Sequence, residues 1–227
     1  MIPRELIGTA QVPDGEELRL YRHGGDFMIV LDRNELMSTR MRGSEEALAT
    51  MSVARITGAR KPHILIGGYG MGFTLRAALA VLPGDAVVTV AELVPDIIAW
   101  ARGPMAVVAD GCLDDPRVRL IVGDVTKVIE KSPGTFDAIL LDVDNGPDGL
   151  VRADNKRLYS RRGLENAGAA LRPGGVLAVW SAAKDDAFVR RLHDAGFAVD
   201  EVTVHARPNG KGAKHVIWFA MGQPGTR

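Results

Sequence analysis

The chain has 227 residues, 46% hydrophobic and 25% charged, a profile that can bury a sizeable core and excludes an intrinsically disordered chain. Its 28 Lys and Arg balance 28 Asp and Glu, so no net field exists to hold a nucleic acid or an anionic membrane surface, and neither partner is expected. The single cysteine, Cys112, excludes an intrachain disulfide framework and multi-cysteine zinc sites, and five histidines without H-E-x-x-H spacing predict no metal.

The first 20 residues lack a basic start followed by an apolar run, so no signal peptide is expected and the reading is cytoplasmic. Glu17–His23 and Phe27–Leu31 read as strands joined by Gly24-Gly25-Asp26, a hairpin. A helix follows through Ile56, with Ser44 as its cap, and Gly58 closes it. Residues 1–58 are therefore read as a small N-terminal β unit with a linking helix, and residues 59–227 as the main domain. The most apolar stretch, Ala77–Val94, is broken by Pro83, Gly84, Asp85 and Glu92, too often to span a bilayer.

From His63 onward, apolar runs of strand length alternate with helical stretches, as a parallel sheet covered on both faces requires. The strands are placed at His63–Ile66, Val87–Ala91, Val118–Val122, Ala138–Leu141 and Val176–Trp180. The helices are placed at Gly72–Leu82, Pro95–Arg102, Thr126–Lys131, Ser160–Leu171 and Asp185–Ala195. Phe197–His205 and His215–Met221 flank a turn and read as a final antiparallel hairpin. The fold class is α/β: a doubly wound, mostly parallel seven-stranded sheet, which binds ligands at the carboxyl ends of its strands.

The first core strand runs into Gly67-Gly68-Tyr69-Gly70-Met71-Gly72, where Gly67, Gly68, Gly70 and Gly72 let the backbone turn tightly and approach a nucleotide-like ligand. The spacing is G-x-G-x-G, and Phe73 stands where a dinucleotide-binding loop needs its last glycine, which counts against a nicotinamide-dependent oxidoreductase. Glu92 ends the second strand, where a carboxylate can accept both hydroxyl protons of a ribose. Asp124, just past the third strand, stands where an adenine amino group can donate to it. Asp142 and Asp144 follow the fourth strand, at the mouth of the expected site. Glu46, Tyr159 and Trp180 are candidate substrate contacts.

Taken in order with Asp114-Asp115-Pro116-Arg117-Val118, Phe136-Asp137-Ala138-Ile139-Leu140-Leu141-Asp142 and Leu171-Arg172-Pro173-Gly174-Gly175-Val176-Leu177, these features resemble the S-adenosylmethionine-dependent class I methyltransferase superfamily. The likeness is greatest to its spermidine-synthase-like branch. It runs from about Glu35 to Ala182 and implies a homodimer, a small-molecule acceptor, and S-adenosylmethionine or its decarboxylated form as the group donor. It also implies that Asp142, with Asp144 beside it, binds and deprotonates an amine. The chain departs from that branch in three places: Gly70 and Met71 leave the glycine loop without an acid, Asn145 stands three residues after Asp142, and Ser44-Glu45 precede Glu46 where a Tyr-His-Glu is usual.

The missing loop acid weighs against a donor with a cationic amine tail, so the sequence favours methyl transfer to a small polar, amine-like acceptor. Aminopropyl transfer from decarboxylated S-adenosylmethionine to a diamine is the alternative, and a non-catalytic cofactor-binding or dimerisation module is the reading from a different class.

Overall fold

A computed structural model describes residues 3–13, 17–56, 58–143 and 155–222. The N-terminal unit is larger than the expected hairpin. Four strands, β1 (Glu5–Gln11), β2 (Glu17–His23), β3 (Asp26–Leu31) and β4 (Asn34–Ser38), form an antiparallel sheet in chain order. Gly24, with φ of 62°, opens the two-residue turn between β2 and β3, where His23 faces Asp26 across the ladder. Leu18 and Leu20 alternate inward along β2, and Phe27 to Leu31 of β3 are all buried. β1 docks where Gly8 leaves room for the Trp100 indole: a Cβ on Gly8 would lie 2.8 Å from Trp100 Nε1.

Helix α1 (Gly43–Arg55) begins differently from the expectation. Arg42 occupies the N-cap, and Ser44 lies inside the first turn, buried, with no capping bond. The helix start is set by docking: the Gly43 N–H donates to Ala206 O at 2.8 Å, and the Arg207 backbone leaves no room for a Cβ at Gly43. Leu48 and Ala49 are fully buried, and the Arg55 guanidinium sits 3.6 Å over the Phe219 ring while pairing with Asp200. α1 is thus a layer of the main core as well as a link between the sheets.

The remaining elements follow the predicted order. They are β5 (His63–Gly67), α2 (Phe73–Val81), β6 (Val87–Glu92), α3 (Pro95–Arg102), a short α4 (Ala106–Ala109), β7 (Val118–Val122), α5 (Val125–Glu130), β8 (Phe136–Leu141), α6 (Asn155–Leu158), α7 (Arg161–Ala170), β9 (Leu171–Ser181), α8 (Asp186–Asp194), β10 (Phe197–His205) and β11 (Lys214–Gly222). Pro95 starts α3, and Asp124, Ser160 and Asp185 cap α5, α7 and α8 by accepting from Thr126, Gly163 and Phe188 N–H groups. β9 starts earlier than expected because a bulge at Phe136/Ala138 lets Leu171 pair with Phe136 ahead of Pro173.

The large sheet has the order β10-β11-β9-β8-β5-β6-β7. β5 to β9 are parallel, while β11 runs antiparallel to β9 and β10 antiparallel to β11. The chain winds from β5 out to β7, then returns across β5 to β8 and β9, so the winding reverses between β5 and β8, where such sheets open a ligand crevice. Alternation along β5 splits the core: Ile64 and Ile66 join the layer under α1, α2, α3 and the small sheet, while Leu65 joins the layer under α5, α7 and α8. Leu20 and Ile29 belong to the first of these layers, so the two sheets share one hydrophobic core.

Leu48→Ala empties a fully enclosed site in that shared layer. It is expected to lower unfolding stability by about 2–5 kcal/mol, read by chemical denaturation, with secondary-structure content unchanged.

Candidate active site

The strand register brings the sequence-selected groups to one edge of the sheet. Gly67 at the end of β5 pairs with Ala91 and Leu141, and Glu92 at the end of β6 pairs with Val122. Gly68, Glu92, Gly123-Asp124 and Asp142 therefore leave four parallel strands on the same side. With the small sheet above, they enclose a cavity of about 400 Å³, inside the range of roughly 300–1,000 Å³ usual for small-molecule sites.

Two glycines make the floor possible. Gly68, at φ 87°, brings its backbone so close to Asp142 that a Cβ would lie 2.5 Å from the Asp142 carbonyl oxygen. Gly70, at φ 57°, passes beneath Met37 of β4, whose Sδ and Cε would meet a Cβ at 3.0 Å. Both conformations are ones that L side chains rarely adopt. Gly68 and Gly70 line the cavity. Gly67 and Gly72 shape the loop from outside it: Gly67 O accepts from Asp142 N, and Gly72 starts α2 over the Tyr69 hydroxyl. Tyr69 turns into the core, with its hydroxyl 3.5 Å from Cys112 Sγ.

The roof is apolar. Val12, Leu18, Ile29, Leu36, Met37 and Met41 face the cavity from the N-terminal unit, and Leu93, Val94 and Ile97 form one wall. Five lining residues carry carboxyl groups, Glu35, Glu45, Glu92, Asp124 and Asp142, and among the described residues no Lys or Arg lines it.

Glu92 is buried, and its two oxygens accept from Tyr69 N and Val94 N, each at 2.8 Å. Burial pushes its pKa up and those backbone N–H groups oppose the rise. The N–H groups that oppose it are those of Val94, Tyr69, Gly70 and Leu93, so the carboxylate is held at the cavity wall by the loop and by the turn before α3. Asp124 uses one oxygen to cap α5, at 2.8 Å from Thr126 N. Asp142 accepts from Thr74 Oγ1 at 2.9 Å; burial lifts it to about 6 against that hydrogen bond. Glu45 is lifted to about 8, first by burial and then by the neighbouring Asp142 charge.

Glu45 is the site residue the sequence reading missed. The structure places it, and not the expected Glu46, against the cavity; Glu46 points away and pairs with Arg42 at 2.8 Å, four residues back on the helix. Consecutive helical residues lie about 100° apart, so only one of two adjacent acids can face the site. Trp180 lines the cavity, edge-on to His215 at 4.8 Å between ring centroids, and its indole N–H has no hydrogen-bond partner among the described residues. Tyr159 does not line it: its ring packs edge-on against Phe188 in the opposite core layer, with its hydroxyl 3.5 Å from Val143 O. Asp144 lies outside the described residues.

Glu45 and Asp142 give the ligand-free protein a defined pH response. Both carboxyls hold their protons to higher pH when folded than when unfolded. From the ordinary carboxylate range up to pH about 8 these two groups bind more protons in the folded chain than in the unfolded one, so their contribution to stability falls as pH rises; His63 and His215, which burial lowers, act in the opposite sense up to the ordinary histidine range. Denaturation midpoints are expected to decline between pH 7 and pH 8, above the histidine range, and a Glu45→Gln/Asp142→Asn double substitution to flatten that decline.

Comparison with known proteins agrees with this architecture. Residues 74–211 match the model of an S-adenosyl-L-methionine-dependent methyltransferase family. The polyamine aminopropyltransferase of Mycobacterium tuberculosis (strain ATCC 25618 / H37Rv) is 33% identical over 211 residues, which cover 89% of this chain and 36% of that protein. The polyamine aminopropyltransferase 2 of Pseudomonas aeruginosa is 34% identical over 120 residues, covering 51% of this chain and 32% of that one. The chain thus spans about a third of the length of these curated relatives. Among solved structures, the spermidine synthase from Thermotoga maritima superposes with a TM-score of 0.74 at 20% identity, covering 95% of this chain and 72% of that one. A probable spermidine synthase from Corynebacterium glutamicum gives 0.66 at 16%, covering 96% and 80%; at such identities the likeness speaks to the fold. With the winding reversal, the glycine loop and the family match in agreement, the chain belongs to the S-adenosyl-L-methionine-dependent methyltransferase family, in its spermidine-synthase-like branch.

Proposed function

We propose that the protein is a transferase that binds decarboxylated S-adenosylmethionine and moves its aminopropyl group to a small amine. The observation that carries this reading is the charge of the cavity, with five carboxyl groups and, among the described residues, no Lys or Arg. Both reactants are cations, which such a site attracts. The carboxylate of S-adenosylmethionine itself would enter a cavity of like charge with no Lys or Arg among the described lining residues to meet it, at a cost that removal of the carboxylate avoids. This reverses the preference for methyl transfer drawn from the glycine loop. Met71 does stand in the core without an acid, but Glu45 reaches the cavity from α1, where a bound ammonium draws off its proton and meets a carboxylate that the loop lacks.

The residues present fit such a donor. Glu92 lines the cavity at the end of β6, where its carboxylate can accept from ribose hydroxyls, Asp124 has one oxygen beyond its cap for an adenine amino group, and Leu93, Val94 and Ile97 offer an apolar wall for a flat ring. Bound there, the donor supplies a carbon made electrophilic by an adjacent sulfonium. The chain's own contribution is alignment, exclusion of water beneath the Met37 roof, and a proton acceptor at Asp142. An alkylamine with a pKa near about 10 is mostly protonated at neutral pH and has no free lone pair. A carboxylate already lifted to about 6 takes that proton more readily than an ordinary one.

Methyl transfer remains the second reading, supported by the description of the matched family. Mass spectrometry of products formed from each donor with a panel of diamines separates the two. Aminopropylated amine with release of methylthioadenosine is expected, and methylated amine as the sole product would overturn the proposal.

Three substitutions test the assigned roles. Glu92→Ala is expected to weaken donor binding by about 1.5–3 kcal/mol in calorimetric titration, the range for a lost hydrogen bond to a charged group. Gly70→Val is expected to abolish donor binding and to lower ligand-free stability by about 1–2 kcal/mol, through left-handed strain and displacement of Met37. Asp142→Asn is expected to reduce turnover about a hundred- to ten-thousand-fold while donor affinity changes far less, with partial recovery at high pH where neutral amine is supplied.

A further inference from the structure

We propose that Glu45 and Asp142 act together as one proton-accepting pair for the acceptor amine, with Ser44 and His215 as positioning residues that hold Glu45 against the cavity. This rests on the transfer chemistry proposed above. Two carboxyl side chains from different elements, α1 and the end of β8, line one enclosed space, and each has its own hydroxyl partner. Thr74 Oγ1 donates to Asp142 at 2.9 Å, and Ser44 Oγ donates to Glu45 at 2.8 Å. Behind Ser44, His215 Nδ1 lies 2.9 Å from the same hydroxyl, and the His215 ring is wedged edge-on against Trp180. A hydroxyl has one proton, so while Ser44 donates to Glu45 it must accept from His215, which fixes the Nδ1–H tautomer. Burial lowers the His215 pKa, so the ring stays neutral and orients the chain of hydrogen bonds without adding a cation.

The acids that share the cavity with Glu45 are Asp142 from the end of β8, Glu35 from β4, and Glu92 and Asp124 from β6 and the turn after β7; His215 from β11 is the one basic side chain lining it among the described residues. On α1 itself Glu46 stands next in the chain, turned away and paired with Arg42. Two like charges in such a space cannot both be ionised cheaply, and their protons leave in two steps that belong to the pair. Burial and the shared space raise both carboxyls above the ordinary carboxylate range, so the pair gives up its second proton less readily than its first.

An ammonium acceptor gives one proton to the pair, which frees the nitrogen lone pair. That lone pair forms the new C–N bond while the electron pair of the breaking C–S bond stays on sulfur, leaving a neutral thioether. The product departs as a secondary ammonium, and the pair returns the captured proton to solvent. Each pK unit that Glu45 adds to the basicity of the pair shifts the first of these equilibria tenfold.

Carboxyl-carbon NMR of ligand-free protein tests the pair without reference to activity. Two linked titrations are expected on either side of neutrality. Asp142→Asn should lower Glu45, whose rise includes the Asp142 charge, and Glu45→Gln should leave Asp142 titrating in a single step. In the kinetic arm, with decarboxylated S-adenosylmethionine and 1,4-diaminobutane, Glu45→Gln is expected to shift the acid limb of kcat/KM, which then follows Asp142 alone. The same variant should lower kcat/KM at pH 7 about ten- to a hundredfold, with donor KM unchanged within twofold. Ser44→Ala and His215→Gln should move the same limb by less, an effect that a purely structural role does not produce. A Glu45→Gln protein whose NMR titration of Asp142 and whose pH profile match the unsubstituted protein overturns the pair while leaving the transfer reading intact. Linked titrations in a protein that alkylates no amine with either donor overturn the transfer reading, and the acceptor role with it, while the pair persists as a property of the fold.

Discussion

The constraint on which the site depends is the cost of placing carboxylates beneath an apolar roof. Glu45, Glu92 and Asp142 are drawn into low-dielectric surroundings that favour their neutral forms, and each is held there by hydrogen bonds from defined donors. The donors come from the architecture itself: the backbone of the glycine loop and of the turn before α3 for Glu92, the first turn of α2 for Asp142, and the first turn of α1 for Glu45. Because no Lys or Arg compensates them among the described lining residues, the negative charge is left for a ligand to satisfy. The proposed preference for cationic reactants rests on that imbalance and not on a dedicated cation-binding motif.

The roof and the floor constrain one another. Gly68 and Gly70 bring the loop backbone against Asp142 on one side and Met37 on the other, so the cavity height is set by contacts between the two sheets. That explains why the N-terminal unit shares a core with the main sheet through Leu20, Ile29 and Leu48. It also explains why β1 gives up a side chain at Gly8 to seat Trp100 of α3, the helix that carries Ile97 into the cavity wall.

Much of this was legible in the sequence because a strand end is a strong positional signal. Once the apolar runs are identified as parallel strands, Glu92, Asp124 and Asp142 can stand only at the carboxyl edge, and the structure puts them there. Glu45 was not legible for a reason internal to helices. The choice between it and Glu46 depends on rotation about the axis of α1, which is set by Gly43 docking on Ala206 more than 160 residues away and not by the local cap that Ser44 seemed to offer. Tyr159 was misplaced because position in the chain does not reveal which face of the sheet a residue serves. The outer strands β1 and β4 escaped notice for want of clear apolar alternation: Gly8 interrupts one, and Asn34 and Glu35 open the other.

The account turns on a cavity whose uncompensated negative charge selects a donor without a carboxylate. The direct test is calorimetric titration of the same protein, at pH 7 and low ionic strength, with S-adenosylmethionine and with its decarboxylated form. The account predicts that the decarboxylated form binds at least tenfold more tightly, and that the ratio shrinks as salt screens the acids. Equal affinities, or tighter binding of S-adenosylmethionine, would contradict it.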